Sequence, residues 1–244
     1  MSEKSSDIEK SATKLSDSQI EAVTWGSGPL LVTAGAGSGK TRTLTQRVIH
    51  LINAGIAPER IVAITFTNKA ADEMKERITK EVKKINLKGR TPLVGTFHSF
   101  AAKILREEAR GVGRSRGFLI FDDDDSKRVI KKIIKEMDLP ENKRLSLPSI
   151  RKEISRIKVE LEDTDGSVDT IHEIFRRYEE ALIEQNAFDF DDLIEKCVRL
   201  FSAKKSILEK HANRYDYILV DEYQDINTMQ YLLIKLLAEK HKNI

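Results

Sequence analysis

The sequence predicts an α/β protein: a mostly parallel sheet with a glycine-rich loop at one strand end, interrupted by an α-helical insert. Three observations predict this. Four apolar runs are each followed at once by a helix-period pattern, the rhythm of right-handed βαβ units. The loop "AGAGSGKT" (34–41) lies between the first run and its helix. From about residue 106 to 187 the strand signals give way to helical ones.

Taken in order, residues 1–14, "MSEKSSDIEKSATK", are polar, lack the apolar core of a signal peptide, and read as a disordered lead-in. "PLLVTA" (29–34) reads as a buried strand, and the helix after the loop carries Leu44, Val48 and Leu51 on one face until Gly55 stops it. "RIVAITFT" (60–67) is the next strand, leading into "NKAADEMKERITKEV", with Asn68 placed to cap and Ala71, Met74, Ile78 and Val82 inward. "TPLVGT" (91–96) precedes the helix "FHSFAAKILREEA". Within the insert only "GFLIF" (117–121) has strand character. "SKRVIKKIIKEM" sets Val129, Ile130, Ile133, Ile134 and Met137 on one side, and "LPSIRKEISRIKVE" and "DTIHEIFRRYEEALIEQN" are helical too. The last strand, "YDYILVDE" (215–222), runs into "INTMQYLLIKLLAEK".

At 244 residues, 40% hydrophobic and 33% charged, the chain suits a soluble globular protein of one large domain or two small ones. A net charge of +3 does not indicate a bulk polyelectrolyte partner, but the charge is uneven: Lys127 to Lys158 holds eleven Lys or Arg against four Asp or Glu, a local +7. The single Cys197 cannot form an intramolecular disulfide, which fits a reducing compartment. No run approaches the ~18 apolar residues of a membrane span, so an intracellular, cytoplasmic protein without a membrane partner is expected. "FDDDD" (121–125) lacks the glycine and distal glutamate of a calcium loop and is expected to cap a helix. "FDFDD" (188–192) reads as an aromatic-anchored return from insert to core, and no structural zinc is expected from Cys197 and scattered histidines.

The loop carries the chemistry. Ala34 stands where the phosphate-binding pattern usually has its first glycine, but Gly35, Gly37 and Gly39 still let main-chain N–H groups face phosphate oxygens. Lys40 is expected to reach the β- and γ-phosphates, Thr41 to ligate Mg²⁺, and the helix N-terminus to favour the anion. The candidate nucleotide residues are thus Thr33, Ala34, Gly35, Ala36, Gly37, Ser38, Gly39, Lys40 and Thr41. Magnesium needs a carboxylate as well, and Asp221 at the end of an apolar strand supplies one. Glu222 beside it is placed to orient and deprotonate an attacking water, which argues for hydrolysis over phosphoryl transfer to a small molecule. Guanine specificity is disfavoured, because "TNKAA" (67–71) has Ala71 where the base-reading aspartate belongs.

Six ordered segments, "LSDSQIEAV" (15–23), "AGAGSGKT", "ITFTNKAADEM" (64–74), "GTFHSFAAKIL" (95–105), "FDFDDLI" (188–194) and "VDEYQDIN" (220–227), resemble motifs of superfamily 1 DNA helicases of the UvrD/Rep/PcrA type. The resemblance runs from about residue 15 to the end. It implies an ATP-driven 3′-to-5′ translocase on single-stranded DNA, working at single/double-strand junctions in replication or repair, with ATP and Mg²⁺ as cofactors and association with the nucleoid. It implies a P-loop NTPase fold in which 15–105 and 188–244 form a discontinuous, truncated RecA-like domain, called 1A, and 106–187 the inserted subdomain 1B. Carried over, Gln19 would read adenine, Arg42 would lie near the base, and Gln224 would couple nucleotide to DNA. The DNA contacts fall on Thr65, Phe66, Asn68, Thr96 and His98. Phe66, expected at a sheet edge, can stack on an unpaired base, and the others offer short polar groups for phosphate and sugar. Lys131, Lys132 and Lys135 in the basic insert are expected to meet duplex phosphates.

The family continues into a further strand, a glutamine-, tyrosine- and arginine-bearing motif, and a second RecA-like domain, none of which occurs in these 244 residues. The chain alone is therefore expected to have little activity. Two rival readings stand beside the helicase: a nucleotide- and DNA-binding module without turnover, and an unrelated P-loop ATPase or kinase.

Overall fold

The computed structural model describes residues 15–84, 90–138, 146–160 and 169–244; the expected lead-in 1–14 lies outside them. Along the chain run α1 (Asp17–Thr24), α2 (Lys40–Asn53), β1 (Ile61–Thr65), α3 (Asn68–Lys84), β2 (Leu93–Thr96), α4 (Phe97–Glu107), β3 (Leu119–Ile120) and α5 (Asp123–Glu136). Then come α6 (Leu147–Glu160), α7 (Thr170–Glu184), β4 (Ala187–Phe188), α8 (Phe190–Ala203), α9 (Lys205–Ala212), β5 (Tyr217–Val220) and α10 (Thr228–Ala238). Packing divides the chain into two compact units: the described residues up to Val94 with Tyr215–Asp221 and His241–Ile244, and a second of Gly95–Arg214 with Glu222–Lys240.

The first unit is built on a sheet of order β2-β1-β5. β1 and β5 are parallel, with Ile61 opposite Tyr217 and Ile64 opposite Val220. β1 is buried along its whole length, as a central strand covered on both faces must be. Val48, Leu51 and Ile52 of α2 and Met74, Ile78 and Val82 of α3 close over Ile61, Ala63 and Leu219. The stripes read from sequence are therefore the core faces, and Gly55, at φ +97, ends α2 as expected.

Two expectations fail here. Residues 29–34 form no strand, and Leu31 is 71% exposed. Strand identity comes from a ladder, and among the described residues this segment makes one cross-chain main-chain bond, from Leu30 N–H to Ile244 O at 2.8 Å. The β5 edge is met by Asn243, whose carbonyl accepts from Ile218 N–H. The α3 cap is also one residue off. Thr67 Oγ1 accepts from Ala70 N–H, and Asn68 is the first helical residue.

The second unit is mostly helical. "GFLIF" contributes only β3, paired in parallel with β4, a partner not anticipated from sequence. Ile130 and Ile133 of α5, Ile150 and Ile154 of α6, and Ile174, Tyr178 and Leu182 of α7 share one core, with Val129, Ile134 and Met137 at its margin. The acidic run caps α5 as expected: Asp122 accepts from the N–H groups of Asp124 and Asp125. Its remaining acids pair with the start of the basic stretch, and Arg156 is paired within α6. Lys127 pairs with Asp123 and Asp124, Arg128 with Asp125, Arg151 with Asp123, and Arg156 with Glu153 and Glu160. Of the described cations in the +7 window, Lys127, Arg128 and Arg151 are thus paired by acids just ahead of it.

Lys158 is 1% exposed. Its ammonium lies 2.9 Å from Glu179 and 2.8 Å from both Asp189 and Asp192. Asp189 also accepts from Tyr178 Oη–H and caps α8. Burial alone would lower the Lys158 pKa, but the three carboxylates outweigh it and hold the group charged well above its ordinary range. For Glu179, burial pushes up while Lys158 and Lys196 pull down, leaving it at about 2. So "FDFDD" does more than return the chain: it binds α6 and α7 to α8. Removing one partner of such a buried set leaves uncompensated charge and costs about 3–5 kcal/mol. Lys158→Ala is expected to lose that much stability in denaturant unfolding, and a loss below about 1 kcal/mol would show that the carboxylates simply protonate.

Candidate functional site

The loop between residue 34 and α2 folds as a shallow exposed cradle in the first unit. Gly37 and Gly39 take φ values of +74 and +84, conformations that favour glycine. No atom approaches within 4 Å of where Cβ atoms on Gly35 and Gly37 would be, so the space over the loop is open. Thr33, Ala34, Ala36 and Ser38 are exposed along it, and Ser38 Oγ donates to Gly35 O at 2.7 Å. α2 begins at Lys40 with Gly39 in the cap position and no side chain satisfying its first N–H groups. The end of α2 thus offers donors and a positive dipole end to an anion. Lys40 Nζ folds back onto the carbonyls of Ala34 and Gly35, at 3.2 and 3.3 Å. These are weak, exposed bonds that a phosphate oxygen can replace.

Thr41 and Asp221 come together across 180 residues: Thr41 Oγ1 donates to Asp221 Oδ2 at 2.8 Å. Asp221 continues the sheet ladder one step beyond β5, its N–H donating to Ile64 O. A hydroxyl and a carboxylate in contact form an all-oxygen donor pair of the kind that suits Mg²⁺. Gln19 also reaches the loop. Its Nε2 donates to Ser38 O at 2.9 Å, while its Oε1 accepts from Ser16 N–H in the α1 capping box. Arg42 lies half-buried in the first turn of α2.

Glu222 begins the second unit and takes φ +48, ψ +46, a left-handed conformation costing a non-glycine residue roughly 1–2 kcal/mol. Its carboxylate accepts from Gln224 Nε2 at 2.5 Å. The backbone strain therefore sits on the residue whose proposed role needs an aimed carboxylate.

The candidate DNA residues separate by exposure. Phe66 is 38% exposed and Asn68 is exposed, both just past the C-terminal end of β1. β1 is the central strand, so Phe66 does not sit at a sheet edge as expected. Thr65 is fully buried, with Oγ1 donating to Thr67 O. Thr96 is buried as well and caps α4. His98 is half-buried against the edge of the Phe190 ring, 5.5 Å between centroids, and burial lowers its pKa with Asp191 opposing. Lys131, Lys132 and Lys135 are exposed on α5, Lys132 at 3.8 Å from Glu136.

A profile of the UvrD/REP helicase N-terminal domain matches residues 15–244. The chain belongs to this family. It is 42% identical over 235 residues to the ATP-dependent DNA helicase PcrA of Staphylococcus aureus (strain Mu50), covering 93% of this chain and 32% of the relative. A probable DNA helicase II homolog of Mycoplasma capricolum is 42% identical over 236 residues, covering 92% and 32%. PcrA of Staphylococcus epidermidis is 41% identical over 239 residues, covering 94% and 32%. This UvrD/REP domain therefore spans about a third of the length of the curated relatives it matches.

In this helicase domain one site residue escaped sequence reasoning. The buried Arg47 guanidinium of α2 donates to the carbonyls of Ala22, Val23 and Trp25, satisfying the C-terminal end of α1 and fixing the helix that carries Gln19. The available signal was an arginine directly preceding Val48, between the helix's inward positions Leu44 and Leu51. The loop conformation itself is testable. Gly39→Ala puts a Cβ 3.3 Å from Gln19 Nε2 at a left-handed φ, whereas Gly35→Ala meets open space. Gly39→Ala is expected to cost roughly 1–2 kcal/mol, a fall of about 2–8 °C in Tm, and Gly35→Ala to leave Tm unchanged.

Proposed function

We propose that this chain is the N-terminal, ATP-binding part of an ATP-dependent 3′-to-5′ DNA helicase that moves on single-stranded DNA in replication or repair, meeting single/double-strand junctions. The observation that carries the reading is the meeting of Thr41 with Asp221 beside an open glycine loop and Lys40. The polarity rests on the family resemblance alone, as does the division into a RecA-like domain of 15–105 and 188–244 with a helical insert of 106–187. The relatives' names, ATP-dependent DNA helicase, agree with the activity.

In this reading the loop N–H groups of Gly35 to Thr41 hold the phosphates, Lys40 leaves its carbonyls for the β- and γ-phosphates, and Thr41 with Asp221 holds Mg²⁺. The metal, when bound, supplies charge to the phosphoryl oxygens. Glu222 orients and deprotonates water, and Gln224, bonded to it, passes the state of the site to the DNA-bearing motifs. Gln19 and Arg42 face the base. Phe66 stacks on an unpaired base, worth roughly 1–3 kcal/mol; Asn68 and His98 offer polar groups to the strand, and Thr65 and Thr96 hold the turns that present them. Lys131, Lys132 and Lys135 remain the cations of the insert proposed to meet duplex.

Lys40→Ala removes the main charge facing the phosphates. By calorimetry, Mg-ATP affinity is expected to fall by an order of magnitude or more, and equal affinities would end the assignment of the loop.

A second reading is favoured for the 244 residues tested by themselves. No arginine follows Glu222, so Lys40 and the metal would meet the transferring group from one side only. A cation supplied from the other side is worth about 10³–10⁵ in rate in related phosphoryl-transfer systems. The isolated chain is expected to bind Mg-ATP and single-stranded DNA weakly, with near-background ATPase and no strand displacement on 3′-tailed DNA. Robust DNA-stimulated turnover that disappears in Glu222→Gln would show instead that it is a complete enzyme.

A further inference from the structure

In the first unit, Asn243 bonds through both its side chain and its main chain. Its Oδ1 accepts from Gly28 N–H at 2.7 Å, and its Nδ2 donates to Asp216 O at 2.9 Å. Its carbonyl accepts from Ile218 N–H at 3.0 Å, and its N–H donates to His241 Nδ1 at 3.0 Å. Burial lowers the His241 pKa, which keeps Nδ1 unprotonated and able to accept. The next residue extends the pattern, with Ile244 O accepting from Leu30 N–H at 2.8 Å. Residues 243–244 thus bond on one side to the start of β5 and on the other to the segment that enters the glycine loop.

These bonds fix an alignment. Through the Asn243 side chain, Gly28 stands level with Asp216. Two residues further along each segment, Leu30 and Ile218 are held in the same way through Ile244 and Asn243. Carried on at equal rise, five residues past Gly28 is Thr33, at the entry to the loop, and five past Asp216 is Asp221. β5 is firm at both ends: Asp216 N–H donates to Arg60 O at 2.7 Å, its carboxylate pairs with the Arg60 guanidinium, and Asp221 N–H donates to Ile64 O. The entry segment has no ladder and is exposed from Leu31 to Ser38, so the bonds at Gly28 and Leu30 carry its placement. An asparagine suits this bridge, because its amide offers an acceptor to one side and a donor to the other. Aspartate would keep the bond from Gly28 and lose the one to Asp216 O; leucine, of similar size, would lose both.

We propose that Asn243 is a positioning residue for the nucleotide site, setting the loop entry against β5 and with it the gap in which Thr41 and Asp221 meet. It acts through that alignment and not by contact with the ligand. The proposal rests on the reading that Thr41 and Asp221 hold Mg²⁺. The phosphate-facing N–H groups of Gly35 to Thr41 belong to one stretch of chain and move together. The oxygen pair joins two stretches 180 residues apart. A slackened alignment therefore disturbs the metal donors before it disturbs the phosphate donors.

The test measures binding of a fluorescent ATP analogue to the 244-residue chain and its variants, once with Mg²⁺ and once with chelator. The ratio of the two affinities is the Mg²⁺ enhancement. Asn243→Leu is expected to lower this enhancement by roughly three- to tenfold, the effect of one or two hydrogen bonds, and to leave affinity in chelator within about twofold of wild type. In an Asp221→Asn background, where the enhancement is already lost, Asn243→Leu should add nothing. Asn243→Asp should lower the enhancement too, and it decides the question if Asn243→Leu shows no cooperative thermal melt. An unchanged enhancement in the folded variant overturns the proposal. So does an equal loss with and without Mg²⁺, which would mark a general loosening of the fold. No enhancement in wild type would end the metal reading on which the proposal stands. Lys40→Ala separates the two levels: wild-type binding by that variant would show the nucleotide site itself to be misassigned, whereas weakened Lys40→Ala beside an unaltered Asn243→Leu removes the proposal alone.

Discussion

Asp221 reaches Thr41 because β5 lies beside β1 in the register that sets Ile64 against Val220, with the Asp221 N–H taking the next rung on Ile64 O. A slip of one residue would exchange the two faces of β5. Leu219 would leave the core under α2 and α3, and the carboxylate would leave the hydroxyl. The oxygen pair thus depends on a parallel pairing whose correctness is enforced by apolar burial some distance away. Gln19 is positioned in a comparable way, since Arg47 ties the end of α1 to α2 and thereby brings the amide to Ser38 O. In both cases a candidate site side chain is aimed by a bond made elsewhere in the fold.

The two units reach order by different physics. In the first, α2 and α3 cover a sheet with aliphatic side chains, and the packing contacts are non-directional. In the second, an aliphatic core is joined by the buried set of Lys158 with Glu179, Asp189 and Asp192. Charge pairs out of water are directional and tolerate little misplacement. They add specificity to helices whose greasy faces could slide, since α6, α7 and α8 must all be in place before the ammonium is satisfied.

What was legible in the sequence was what is local. The glycine loop, the stop at Gly55, the cap at Asp122 and the stripes of α3 and α5 are decided within one or two turns of chain, and each stands where the sequence put it. What was missed depends on distant partners. Residues 29–34 have the composition of a strand but not its ladder. Phe66 follows a central strand, and strand order is not written in any one strand. The count from Lys127 left out the carboxylates of Asp123 to Asp125, whose pairing with Lys127, Arg128 and Arg151 shows only in three dimensions. Lys158 could have been found: it falls four residues after Ile154 and eight after Ile150, on a buried stripe. A lysine at such a position asks for carboxylates, and "FDFDD" holds three.

The discontinuity of the first unit has a consequence for how the chain is made. β1 ends at Thr65 and the strand that completes it begins at Tyr217, roughly 150 residues later. At ~5–20 residues per second of synthesis, about 8–30 s pass before β5 leaves the ribosome. Throughout that interval Ile61 to Ile64 form an apolar edge with hydrogen-bonding groups open to other nascent chains. The intervening helices, rich in local contacts, can fold early. The glycine loop is therefore translated 180 residues before Asp221, the carboxylate that Thr41 meets, and β1 waits nearly as long for the strand that pairs with it.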